Sequence, residues 1–241
     1  MTKNQILSSI KKSSALLDDI GLLNSFVNAH TLDVNDAFMK ISFNHESKYE
    51  EIYLTGLEQQ NYNFILNDYS YFQFSFREQE DRRNGWTKPY ARYAFYPNPF
   101  EQNEGGLEEI YRMYKDEEID FEEYSQAISE YKPLLKRLPV RYDLSFRQFE
   151  KVYHPTSHFH FTLSENSRLA SNKVFSPLVF TMMIMNTYYL DEWMAHSQSK
   201  GSFYLESMFK REISLCENIS DYNTKDNEYF CSLQNELICL R

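Results

Sequence analysis

The chain has 241 residues and a mass of 28.9 kDa, with 25% charged and 42% apolar residues, enough to build a sizeable core and to exclude overall disorder. Aromatic residues are abundant (19 Tyr, 19 Phe, 2 Trp), whereas Gly occurs six times. No G-x-G-x-x-G, G-x-x-x-x-G-K-[ST] or G-x-S-x-G can be written in it, which argues against Rossmann nucleotide binding, P-loop ATPase activity and the serine-hydrolase elbow. The net charge of −10 is uneven. Residues 101–131 carry 11 acids against two bases, and residues 132–173 carry eight bases against three acids. An acidic protein gains no long-range pull toward nucleic acid, but its basic island can hold a phosphate or a short strand. The two stretches can equally pair with each other.

In chain order, Ile6, Ile10, Leu17 and Ile20 predict an amphipathic helix over about 4–23, and a second helix is expected over 47–58. A hairpin follows, with Tyr62, Phe64 and Leu66 in one strand and Phe72, Phe74 and Phe76 along one face of the next. Residues 77–90, charged and interrupted by Gly85 and Pro89, read as an exposed loop before a strand at 91–96. The acidic stretch 107–131 has helical spacing and is expected to form two short helices in a solvated arm. A strand at 139–146 alternates Val140, Tyr142, Leu144 and Phe146 with Arg141, Asp143 and Ser145, and another is expected at 157–163. Ser176-Pro177 supplies an N-cap and a first-turn proline for a buried helix to about 195. The C-terminal segment 196–241 is expected to be helical, with elements near 202–216 and 226–239. The expected architecture is α+β: one domain, residues 1–241, with a mainly antiparallel sheet packed by helices and a helical acidic arm. Most of the rings fall on apolar strand faces, so they are expected in the core rather than stacked on bases.

One segment carries chemistry. His154, His158 and His160 fall in YHPTSHFHF. The Pro155 turn places His154 in a loop, and a spacing of two puts His158 and His160 on one strand face, with Phe159 and Phe161 directed into the core. Arg141 and Asp143 have the same spacing, so neighbouring strands would gather all four into one polar patch. Two or three His with one Asp can bind a first-row divalent metal such as Zn, Mn or Fe. Alternatively, His158 and His160 act as general acid and base on a phosphodiester, Arg141 holds the phosphate, and Asp143 orients an imidazole. A structural role is also open, with the imidazoles satisfying backbone groups and Arg141–Asp143 forming a plain ion pair.

The run PVRYDLSF…YHPTSHFHFTLSENSRLASNKVFSPLVF, with NYNFILNDYSYFQFSF before it, resembles an uncharacterised bacterial domain family. Its members carry R-[FY]-D, then H-P-x-S-H-x-H, then an arginine and a proline-started helix; the resemblance implies a fold unit and no activity. The order R-Y-D…H-x-H is more distantly similar to TumE-type toxins, which implies a toxin–antitoxin or defence context. His154 and Arg168 are the flanking candidates for substrate binding. Two D…E-x-K patterns, at Asp36, Glu46 and Lys48 and at Asp120, Glu130 and Lys132, are expected by chance in so acidic a chain.

Two functions follow as expectations. The first is a histidine-centred phosphodiesterase or ribonuclease-like effector acting on RNA or another phosphodiester. The second is a non-catalytic subunit that binds a protein partner or a second copy through its aromatic surface and acidic arm. Cys216, Cys231 and Cys239 form no framework, and PLVFTMMIM is too short to span a bilayer, so a soluble cytoplasmic protein with no membrane partner is expected.

Overall fold

The computed structural model describes residues 1–26, 28–32, 48–81, 86–100, 106–129, 137–150, 153–161 and 168–219. Among these residues, seven antiparallel strands lie side by side in chain order: β1 (Leu23–Phe26), β2 (Phe64–Leu66), β3 (Tyr71–Asp81), β4 (Trp86–Tyr96), β5 (Val140–Leu144), β6 (Ser157–His160) and β7 (Leu169–Ala170). The helices are α1 (Lys3–Ile20), α2 (Tyr49–Glu58), α3 (Gly106–Lys115), α4 (Phe121–Ser129), α5 (Pro177–Tyr188), α6 (Leu190–Lys200) and α7 (Tyr204–Ser214). The class is α+β, as expected.

Strand alternation sorts the side chains onto two faces. Phe72, Phe74 and Phe76 of β3, Tyr93 and Phe95 of β4, Tyr142 and Leu144 of β5 and Phe159 of β6 share one core with Ile6, Ile10 and Leu17 of α1, Phe180 and Met185 of α5, Trp193 of α6 and Leu205 of α7. The opposite face divides. Toward β2 it is apolar: Ile65, Tyr71, Ala94 and Tyr96 pack with Tyr49 and Tyr53 of α2, Tyr111 of α3, and Tyr124 and Ile128 of α4. Toward β6 it is polar, carrying Arg92, Arg141, Asp143, His158 and His160. The aromatic excess is largely core, as ring pairs such as Tyr71–Tyr96 (4.9 Å) and Phe72–Phe95 (5.0 Å) illustrate.

Local signals set the helix starts. Thr2 and Gln5 form a capping box at α1. Ser176 Oγ accepts from the Val179 N–H at 3.3 Å with Pro177 in the first turn of α5.

Three expectations need correction. Residues 77–90 are largely strand: β3 and β4 pair without a break from Tyr71–Tyr96 to Asp81–Trp86. A two-stranded ribbon needs no apolar face when cross-strand pairs stabilise it. Arg77 lies over the ring of its partner Tyr90 at 4.6 Å, and Lys88 lies over Phe146 at 5.0 Å. Pro89 is tolerated because β5 joins β4 only from Ala91 onward, so its missing N–H falls on an edge. The acidic helices form as expected, but they are a layer of the fold rather than a free arm. Tyr111, Tyr124 and Ile128 are buried against the tyrosine cluster, while the described acidic side chains face outward.

The buried helix expected to run to 195 stops at Tyr188, because Tyr189 adopts φ −130°, ψ 47°. Its ring lies 4.2 Å under the Arg137 guanidinium, and its hydroxyl donates to Asp68 Oδ2 at 2.8 Å. Arg137 also pairs with Asp68, which thus joins the β2–β3 turn to the helix break. No helix among the described residues is long and apolar enough to cross a membrane. The expected 226–239 helix, Cys231, Cys239, Asp36, Glu46, Glu130 and Lys132 lie outside the described residues.

Candidate functional site

Sheet register assembles the site. Asp143 on β5 is paired with Arg92 on β4 and with His158 on β6, and His158 is paired in turn with Ala170 on β7. One step along the same face, Arg141 is paired with Ala94 and with His160. Partners across a ladder share a face, as do residues two apart in a strand. Arg92, Arg141, Asp143, His158 and His160 therefore stand together on the face opposite Tyr142 and Phe159.

Asp143 is the hub. Arg92 Nε donates to its Oδ1 at 3.1 Å and Arg141 Nε to its Oδ2 at 2.9 Å. His160 Nε2 lies 3.4 Å, and His158 Nε2 3.9 Å, from the same Oδ2. Burial pushes the Asp143 carboxyl upward, but the guanidiniums of Arg141 and Arg92 outweigh it and hold the group well below the usual carboxylate range. Asp143 is an anion at any physiological pH.

His158 is fully buried, and its Nδ1 lies 2.7 Å from the carbonyl oxygen of Pro155. A carbonyl only accepts, so Nδ1 carries the proton and Nε2 presents a lone pair. That lone pair has no hydrogen-bond partner and faces Asp143. Burial, partly offset by the Asp143 charge, pushes this imidazole down to about 3, so it is neutral near pH 7. The rings of His158 and His160 are 4.8 Å apart, and one ligand atom from each, with one Asp143 oxygen, lies within 4.8 Å of the others.

The flanking candidates are also near. The His154 ring stands edge-on to His158 at 4.8 Å. Burial and the Arg168 charge lower the His154 pKa, and Arg168 Nη1 donates to the Tyr153 carbonyl at 3.4 Å.

Two details differ from expectation. The catalytic reading expects a partly exposed histidine cluster, whereas His158 and His160 are 0% and 1% exposed. Access is from the side of Arg141 and Asp143, whose side chains are 17% and 14% exposed. Phe161 is not core: β6 ends at His160, and Phe161 is 37% exposed with its ring 6.1 Å from Phe159. Arg92 was not among the residues read from the sequence. Its signal is a single cation at the outward phase of A-R-Y-A-F-Y, at 3% exposure in the fold.

The cluster can act on an anion, through two guanidiniums fixed by one carboxylate. It can also present nitrogen and oxygen lone pairs to a proton or a cation. No curated protein and no solved structure matches the chain. A family model matches residues 23–240, nearly the whole chain, and the protein belongs to the uncharacterized conserved protein family DUF2290.

Proposed function

We propose that the chain is a phosphodiester-cleaving enzyme, ribonuclease-like in its chemistry, centred on His158, His160, Asp143, Arg141 and Arg92. The observation that carries this reading is the His158 imidazole. It is locked by Pro155 so that its Nε2 lone pair faces a carboxylate whose two oxygens each hold a guanidinium. Phosphoryl chemistry needs fixed positive charge where negative charge builds, which Arg141 provides without reorganising, while the buried Arg92 fixes the carboxylate beside it. It also needs a group that activates the attacking hydroxyl. His160 is the candidate to draw off that proton, while His158, made a weak base by burial, serves by holding an ion that does so. His154 and Arg168 flank the cluster, and the Arg168 guanidinium adds a further cation for a strand's phosphates. An effector of a toxin–antitoxin or defence system is the setting such an activity fits.

The test is cleavage of a fluorophore–quencher single-stranded RNA and of a bis-aryl phosphodiester, each assayed with divalent ions and in chelator. Cleavage by the wild type that falls about 10²–10³-fold in Arg141→Gln supports the reading. No cleavage of either substrate in any condition overturns it.

A second reading, a subunit that binds another protein, is favoured by the large apolar side chains exposed on and beside α6 and α7. Leu190, Met194, Phe203 and Tyr204 are 52%, 40%, 71% and 45% exposed. Under that reading, charged substitutions at Leu190 and Phe203 abolish association and leave the histidine cluster without effect.

A further inference from the structure

We infer that Asp143, His158 and His160 form a binding site for one first-row divalent transition-metal ion, with Arg92 and Arg141 holding the carboxylate ligand in place. This deepens the proposed function and rests on its reading of the cluster as a site, but ion binding can be measured without turnover.

The argument begins with lone pairs. His158 Nε2 is buried, has no hydrogen-bond partner and faces a carboxylate oxygen at 3.9 Å. Two acceptors turned toward each other repel, and a buried unsatisfied polar atom is costly. His160 Nε2 converges on the same oxygen at 3.4 Å. A cation placed among the three atoms turns this arrangement into a favourable one.

The geometry is close to what an ion needs. Metal–ligand bonds of about 2.0–2.2 Å set ligand atoms roughly 3–3.5 Å apart. The distances from Asp143 Oδ2 are 3.4 and 3.9 Å, and all three ligand atoms lie within 4.8 Å of one another. Rotamer adjustments of about an ångström close the set.

The outer groups also fit. A metal-bound histidine usually donates its other ring N–H to a carbonyl or carboxylate, which fixes tautomer and orientation. The Pro155 carbonyl does this for His158 at 2.7 Å. A ligating carboxylate is usually hydrogen-bonded in turn, and Arg141 Nε is 2.9 Å from Asp143 Oδ2. Two imidazoles and one carboxylate select a first-row transition ion over magnesium or calcium, which take oxygen ligands. Three protein ligands leave coordination positions open for water or substrate. Two cationic guanidiniums beside a divalent ion also leave the site short of negative charge. A phosphodiester supplies it.

The experiment is calorimetric titration of chelator-stripped full-length protein with Zn²⁺, Mn²⁺ and Mg²⁺, alongside Co²⁺ visible spectroscopy, on wild type, Asp143→Asn and His160→Ala. Circular dichroism establishes that each protein is folded. The expected result is one Zn²⁺ or Mn²⁺ per chain, little affinity for Mg²⁺, and a loss of roughly 100-fold or more in both variants. If one variant fails to fold, the other decides, and a wild-type Co²⁺ spectrum showing thiolate or all-oxygen ligation overturns the assignment. Absence of one-to-one binding by folded wild type overturns the proposal, as does binding that both folded variants retain. Binding without RNA cleavage leaves the metal site standing and removes the enzyme. Cleavage that persists in chelator, with no one-to-one binding by the folded wild type, leaves the enzyme standing and removes the metal.

Discussion

Arg92 Nε donates to Asp143 Oδ1 at 3.1 Å across the β4–β5 pair, with the arginine only 3% exposed. The contact is dictated by register, since Arg92 and Asp143 are direct partners in the ladder. It makes Arg92 a positioning residue: it fixes the carboxylate that the two imidazoles face.

Replacing Arg92 by Met keeps the length and removes the charge. Losing a hydrogen bond to a charged group is expected to cost about 1.5–3 kcal/mol at pH 7, read by urea unfolding of chelator-treated protein. The sign with pH is definite. The depressed carboxyl of Asp143 contributes stability above the unfolded value of about 3.9, and that stability is lost as pH falls through its folded value. The gap between wild type and variant should therefore narrow below about pH 4. A gap that is constant down to acid unfolding would show that Arg92 acts by packing alone.

Tyr189→Phe tests the helix break. The hydroxyl donates to Asp68 Oδ2 at 2.8 Å, while the ring keeps its place under Arg137. Removal should cost about 1.5 kcal/mol and leave the far-ultraviolet spectrum unchanged. An unchanged midpoint of unfolding would mean that Arg137 alone secures Asp68.

The tyrosine cluster predicts an alkaline limit. Burial raises Tyr49, Tyr53 and Tyr71 well above the ordinary 10, and Tyr62 to about 12. For groups raised in the folded state, stability is complete below the unfolded value and declines as pH rises through it toward the folded one. Stability should fall steadily above about pH 10, with phenolate absorbance appearing cooperatively as the chain unfolds. Exposed tyrosines such as Tyr153 and Tyr204 titrate first, and a gradual, unfolding-independent titration of all the rest would contradict the packed layer of α2, α3 and α4.

Much of this was legible in the sequence because strand alternation is a local signal. The spacing R-x-D and H-x-H sufficed to put Arg141, Asp143, His158 and His160 on one face once their strands were neighbours. Arg92 was hidden for a physical reason: its outward companions Ala94 and Tyr96 are as apolar as the inward set, so A-R-Y-A-F-Y shows no clean alternation. The depth of the histidines was hidden too. Spacing within a strand shows which face a side chain takes and not how deeply that face is covered, and β7, two residues long, carries no periodicity. The extended hairpin was missed because cross-strand pairs such as Arg77–Tyr90 stabilise it, and those are visible only after pairing.

The central claim is that the two imidazoles work as one unit on a phosphodiester, and a rate per folded molecule tests it most directly. His158→Ala, His160→Ala and the double variant are each assayed on single-stranded RNA, with the rate divided by the folded fraction from melting under the same conditions. Both histidines are buried, so lowered melting is expected in all three and decides nothing by itself. The account predicts a fall of about 10²–10⁴-fold per folded molecule in each single variant. It predicts no comparable further loss in the double variant, as for groups that act together. Variants that cleave at the wild-type rate once corrected for folding would contradict it, and would make His158 and His160 parts of the core.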